Sequence, residues 1–201
     1  MKRALLLIVL IGGVVLNAEQ WPEFRGPGST GVGEGANLPD TWSTTQNVKW
    51  KTAIRGQGWS SPIAWGDRIF VTSVIPAGEI ETPKRGLYLR GERPAPTIVH
   101  RYMVFAISFA TGKIMWQREL HRGVPTQARH LKNTFASETP TTDGKLVYAA
   151  FGNVGIYAMD FDGALVWSKP MDATATRNGC GTASSLMMHD GPLYFVNDNE
   201  D

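Results

Sequence analysis

Residues 106–116 read AISFATGKIMW and residues 158–167 read AMDFDGALVW. Each phrase runs from an Ala, through a polar or acidic residue two places on, across a Gly-centred turn to a Trp. The surrounding segments repeat as well: WSSPIAWGDRIFVT (59–72), ASETPTTDGKLVYA (136–149) and ASSLMMHDGPLYFV (183–196). Each has small or hydroxyl residues near its start, crosses a turn at Gly66, Gly144 or Gly191, and enters an apolar strand. Turn-then-strand chemistry is what β-hairpins require, so the repeated unit is a small antiparallel sheet.

Aligning Pro62, Pro140 and Leu186 as equivalent positions spaces the copies by 78 and 46 residues. The shorter spacing suits one four-stranded propeller blade, for which about 40 to 50 residues is usual. The longer one contains a Pro-, Gly- and charge-rich insertion at 75–101, which reads as a long loop between two strands of the first blade. The pattern predicts strands over 69–74, 102–108 and 114–118 in a blade spanning 59–120. A second blade at 134–170 has strands over 146–151, 156–160 and 165–168, and a truncated third occupies 183–201.

Trp116 and Trp167 fall on the last strand of their blades, where a flat ring lies across the neighbouring blade and buries a large apolar area. The turns at Gly112 and Gly163 are expected to position them. Segment 47–54 matches only a final strand, with Trp50 in the Trp position, as expected of a strand that closes a ring. The expected fold is therefore all-β, a β-propeller with four-stranded antiparallel blades, of which about two and a half are present. Closed propellers use about four to eight blades, so the chain reads as a fragment of a larger propeller, roughly seven- or eight-bladed.

Ahead of the repeats, Lys2 and Arg3 precede an apolar run at 4–16, and Asn17-Ala18-Glu19 forms a small-residue exit. This has the form of a secretory signal at 1–18, cleaved after Ala18. A run of 13 residues falls short of the roughly 20 that span a bilayer, so no membrane span is expected after cleavage. With no Cys at the exit, a lipid anchor is not expected either, and the mature protein is expected to be periplasmic or secreted. Residues 19–46 read as an extended, loop-like lead into the repeats.

The chain has 20 Lys and Arg against 18 Asp and Glu, and the leader holds two of the cations and no acid. The mature chain is then balanced, which gives no electrostatic footprint for nucleic acid. The single Cys180 excludes an intrachain disulfide; it reads as a small buried residue at the start of a blade rather than a nucleophile, because no His is spaced to serve it. The four His lack metal-ligand spacing. Gly26 to Gly31 satisfies G-x-G-x-x-G, but Pro27 interrupts it and no strand precedes it, so it reads as a surface loop and not a phosphate cradle. Asp198 to Asp201 are consecutive oxygen donors, whereas hard-cation loops space theirs. They read as a solvated turn.

One cluster stands out. Residues 118–133, RELHRGVPTQARHLKN, set Arg118, Arg122, Arg129 and Lys132, with His121 and His130, against the lone acid Glu119. They link the last strand of one blade to the inner strand of the next, near the propeller's axial face. Arg177 and Asn178 hold the corresponding place before the third copy. Arg129, His130, Lys132, Asn133, Arg177 and Asn178 are thus candidate ligand-binding residues for an anionic small molecule, an acidic glycan or a protein partner's carboxylates. The competing expectation is a solvated loop whose Arg side chains pair with neighbouring acids.

These residues resemble the pyrroloquinoline-quinone (PQQ)-like β-propeller repeat family, whose tryptophan-docking phrase has the form A-x-D-x-x-T-G-x-x-x-W. Ala106, Thr111, Gly112 and Trp116 match it, with Ser108 in the Asp position; Ala158, Asp160, Gly163 and Trp167 match it with a turn one residue shorter. WPEFRGP (21–27) and the stretch 129–155 look like exported bacterial members. The family includes quinoprotein dehydrogenases and also scaffold subunits, such as the propeller component of the outer-membrane β-barrel assembly machinery, so the fold leaves the activity open. The resemblance implies either a non-catalytic binding or assembly scaffold, or a PQQ-dependent alcohol or sugar dehydrogenase using Ca²⁺, with its catalytic residues in the missing blades. The dehydrogenase type carries a vicinal Cys-Cys disulfide, for which this chain lacks the second Cys. A glycan-linked accessory role is a third reading, motivated by the basic cluster and by Trp21 and Trp59 as exposed aromatics.

Overall fold

The computed structural model describes residues 20–33, 38–82, 93–176 and 179–197. The expected leader at 1–18, Arg177, Asn178 and the acidic run 198–201 lie outside the described residues. The first blade is built from β1 (Ile63–Trp65), β2 (Arg68–Pro76), β3 (His100–Ser108) and β4 (Ile114–Gly123). The second is built from β5 (Thr141–Thr142), β6 (Leu146–Phe151), β7 (Gly155–Asp160) and β8 (Leu165–Pro170). A hairpin of β9 (Met187–Met188) and β10 (Leu193–Tyr194) opens a third unit. Both sheets are antiparallel meanders, ordered β1-β2-β3-β4 and β5-β6-β7-β8.

The strands run longer than the residue pattern alone indicated in the first blade. β2 and β3 stay in register from Arg68↔Ser108 to Pro76↔His100, so the insertion begins at Ala77, whose N–H donates to Val99 O at 2.8 Å and closes the loop's neck. β4 continues to Gly123 past a shift in register between Tyr102 and Met103. Residues 47–54, expected as a strand, join no ladder among the described residues.

Period-two burial explains why β6 is apolar throughout. Val147 and Ala149 of β6 pack with Met159 against Ile63, Phe70, Val104 and Ala106 of the first blade. Their alternate neighbours Tyr148 and Ala150 turn to the other side, where they meet Leu186 of the third unit. A strand with packed blades on both faces needs apolar residues at every position rather than at every second one.

Two Trp rings lock consecutive units. Trp50 Nε1–H donates to Phe109 O at 2.9 Å and lies where a Cβ on Gly112 would stand 2.5 Å from its ring. Trp116 repeats this on the second blade, donating to Phe161 O at 2.8 Å, with a Cβ on Gly163 falling 2.9 Å from the ring. Both glycines have positive φ, 71° and 81°, so each turn needs Gly for its backbone as well as for the ring above it. This corrects the expected role of the turns: each receives the Trp of the preceding unit rather than aiming its own. Trp167 is 40% exposed, and Leu165 and Val166 beside it are 54% exposed, so β8 presents the equivalent docking edge to solvent.

Candidate functional site

The β4-to-β5 connection and the starts of the inner strands share one face, and Arg93 of the insertion donates to Arg129 O in that connection at 3.4 Å. There, a cleft of about 460 Å³ is lined by Trp59, Ser137 and Ala183. Each lies three residues before Pro62, Pro140 or Leu186, so the repeat supplies the same position from each unit. Thr139, Ser185 and Phe24 complete this side, and His130, Lys132, Asn133 and Cys180 form the other. Trp59 is 53% exposed and Phe24 42% exposed; large rings left in solvent at a concave surface are contact groups in waiting.

The basic cluster divides by what its donors already hold. Arg118 donates Nε–H to Gly163 O at 2.9 Å and stacks 5.7 Å from the Trp116 ring centre, which makes it a brace between blades. Arg122 and Arg101 clamp Glu119 at 2.6 and 2.5 Å. Hydrogen bonds from Arg122 first, and then Arg101, pull the Glu119 carboxyl down to about 2. Arg129 is half-buried over the Phe135 ring and donates to Asn133 O at 2.7 Å, His130 O at 3.3 Å and Gln57 Oε1 at 3.3 Å. Asn133 Nδ2 donates to Cys180 O at 2.9 Å and Thr182 O at 3.2 Å, while Oδ1 accepts from Ser137 Oγ at 2.5 Å and Thr134 N at 2.8 Å. Asn133, whose carbonyl Arg129 holds, therefore forms the cleft wall, and His130 and Lys132 bring imidazole and ammonium groups to its surface. Arg177 and Asn178 lie outside the described residues.

Two aromatic and thiol expectations change. Cys180 is exposed on the cleft, not buried, because its carbonyl is held by Asn133 in the loop before the third unit and never enters a strand. Trp21 is partly covered, since it bridges Ala64 of β1 and lies beneath Gly26. Trp59 alone of that pair is the exposed ring.

Glu138 escaped the sequence reading. It is 1% exposed, and its carboxylate accepts Gly152 N–H at 3.0 Å, Thr182 Oγ1–H at 2.6 Å and Ser137 N–H at 3.2 Å. Burial pushes its pKa up against these three donors, with no cation among them. The available signal was one acid in SETP where the other copies carry only hydroxyl residues, SSP and SSL. Glu138 ties the second blade to the loop that opens the third and so fixes the cleft from below its rim. A second cleft of about 440 Å³ lies between β4 and the β6–β7 turn, beside Tyr102, His121 and Asn153. Burial pushes the Tyr102 phenol up to about 12, and its oxygen accepts from Asn153 Nδ2 at 2.9 Å.

Among the described residues no group of three His, Cys, Asp or Glu side chains is gathered as metal ligands. No helix there is long and apolar enough to cross a membrane. No curated protein matches the chain. Residues 41–200 match the model of a PQQ-like repeat family described as outer membrane protein assembly factor BamB. With two antiparallel four-stranded blades, tryptophan rings docked on glycine turns, and that match over most of its length, the chain belongs to this PQQ-like β-propeller repeat family.

Proposed function

We propose that the protein is an exported, non-catalytic binding or assembly scaffold whose partner seats in the cleft beside Trp59. The observation that carries this reading is the division of labour at the cleft. Arg129 and Asn133 hold backbone carbonyls and so stiffen one wall, and the Trp59 and Phe24 rings stand exposed across from it with Lys132 at its surface. Preorganised aromatic and cationic groups at a concave surface favour a protein segment that carries an apolar side chain and a carboxylate. The family description, an assembly factor of the outer membrane, agrees with protein binding, and the leader expected at 1–18 agrees with export.

A quinone-dependent dehydrogenase is the alternative, favoured by the flat Trp59 ring beside Lys132 and His130, which suit a planar polycarboxylate. The described lining holds no Asp or Glu to coordinate Ca²⁺, and Cys180 has no second Cys to form a vicinal disulfide. The residues lining this cleft do not fit a quinone–calcium centre, so the dehydrogenase reading requires one built from further blades. The test is a photo-crosslinking residue at Trp59 in cells, with Lys132→Glu as the control. A discrete protein adduct that Lys132→Glu abolishes supports the scaffold. Quinone- and Ca²⁺-dependent alcohol or sugar oxidation with an artificial electron acceptor would sink it.

A further inference from the structure

Three consecutive residues near the N-terminus each meet a different inner strand. Trp21 and Ala64 of β1 exchange both backbone bonds, at 2.8 and 2.9 Å. Thr142 N–H of β5 donates to Pro22 O at 3.0 Å, and Thr141 Oγ1–H reaches the same carbonyl at 3.1 Å. Met188 N–H of β9 donates to Glu23 Oε2 at 3.4 Å. Ala64, Thr142 and Met188 each lie two residues after Pro62, Pro140 and Leu186. They are one repeat position, and each turns its N–H away from its own sheet to the unpaired inner edge.

Such edges are templates for an added strand. A strand normally runs along one edge; this segment runs across three, spending one residue on each. The residue types suit that path. Pro22 has no N–H to leave unmet, and its position needs only an acceptor. Glu23 answers Met188 with its side chain because its own carbonyl accepts Gly26 N–H at 2.9 Å and turns the chain away. Gln20 Oε1 fixes one end by accepting Gly66 N–H at 3.0 Å, and Ser29 Oγ–H donates to Glu23 Oε1 at 3.2 Å from the other. Glu23 is 8% exposed, so the carboxylate is a buried recognition group.

We propose that the inner edges of β1, β5 and β9 form an extended-peptide site read at one residue per blade, and that residues 20–29 of this chain are its resident occupant. The site takes an aromatic residue, then proline, then an acid, and it brings Phe24 into the axial cleft.

The test uses the full chain with Trp21→Gly, Pro22→Gly and Glu23→Gly combined, and a fluorescent peptide of residues 19–31. Exchange of the Ala64 and Thr142 amides is expected to quicken together by about a hundredfold, the equivalent of a lost pair of edge hydrogen bonds. Added peptide restores their protection. It binds wild type at least about a hundredfold more weakly, because the tethered segment competes at an effective concentration near millimolar. Unchanged protection at Ala64 and Thr142, or equal peptide binding to both proteins, overturns the proposal. Should the triple variant lose protection at Val104 and Ala149 as well, Glu23→Ala decides: faster exchange at Met188 alone supports the register, and no change there overturns it.

Discussion

Ser61 N–H donates to Thr139 Oγ1 at 3.0 Å, and Thr139 N–H donates in turn to Ser185 Oγ at 3.0 Å. The three residues are one repeat position in three successive units, 78 and 46 residues apart. Each unit thus hands a backbone donor to the hydroxyl of the next, close to the axis and at the lip of the cleft. Thr139→Val keeps the shape and removes the acceptor for a poorly hydrated N–H, a cost of about 1–3 kcal/mol. Urea denaturation is expected to show that loss for Thr139→Val and little loss for Thr139→Ser.

Gly163→Ala is expected to undock Trp116. The new methyl group meets the ring at 2.9 Å on a turn with φ 81°, and the left-handed conformation alone costs about 1–2 kcal/mol for an L residue. Trp116→Phe keeps most of the buried area and loses only the bond to Phe161 O, about 1 kcal/mol. Thermal denaturation should therefore rank Gly163→Ala below Trp116→Phe; the reverse order would mean that the turn tolerates the methyl group.

Removing the Glu138 side chain strands the buried Gly152 N–H and the part-buried donors of Ser137 and Thr182. Glu138→Ala is expected to cost roughly 2–4 kcal/mol and to loosen the loop at Thr182. The pH dependence has a definite sign. Because the folded state raises this carboxyl above its ordinary 4.5, the folded protein holds the proton more tightly than the unfolded chain. Glu138's contribution is then fully present below about 4.5 and is lost as pH rises through the raised value. Glu138→Gln, neutral throughout, should flatten that decline in denaturation curves collected from pH 4 to 8.

Glu119 has the opposite sign. Its carboxyl, held at about 2 by Arg122 and Arg101 against an ordinary 4.5, favours folding above 4.5 and loses that contribution as pH falls towards 2. Glu119 and Arg101 are partly exposed and Arg122 more so, so solvent screening holds the effect to less than about 1 kcal/mol, and it shrinks in salt. Glu119→Gln should remove the acid-side slope at low ionic strength and lower stability at pH 7 by that same small amount.

Lys132→Glu and Arg129→Ala separate surface from wall. Lys132 is exposed and Arg129 half-buried beneath the connection it holds. Lys132→Glu is expected to abolish partner capture while lowering the melting temperature less than Arg129→Ala does. Arg129→Ala should lower stability by about 1 kcal/mol by leaving the part-buried carbonyls of His130 and Asn133 unmet, with weaker capture following from the loosened wall.

The blades were legible because strand chemistry is local. Alternating or continuous apolar runs, Gly turns and a Trp at fixed offset in AISFATGKIMW and AMDFDGALVW carry the period-two and hairpin signals within a few residues. The family followed from the same phrase. The alignment of Pro62, Pro140 and Leu186 also contained the spacing of the Ser61–Thr139–Ser185 bonds.

The cleft was only half legible, since charge type is written in the chain but the use of each charge is not. Arg118, Arg122, Arg129 and Lys132 look alike in RELHRGVPTQARHLKN. Packing decided that the first braces Gly163, the second clamps Glu119, the third holds Asn133 and the fourth stays at the surface. Glu138 acquired its role in the same way, from Gly152 and Thr182 closing over it. So did Trp21, Pro22 and Glu23, whose partners at Ala64, Thr142 and Met188 lie 43, 120 and 165 residues away in the chain. Local sequence determined the strands, the turns and the repeat; the tertiary fold decided which donors were already spent, because hydrogen bonds and desolvation depend on neighbours that the chain brings together only when the blades stack.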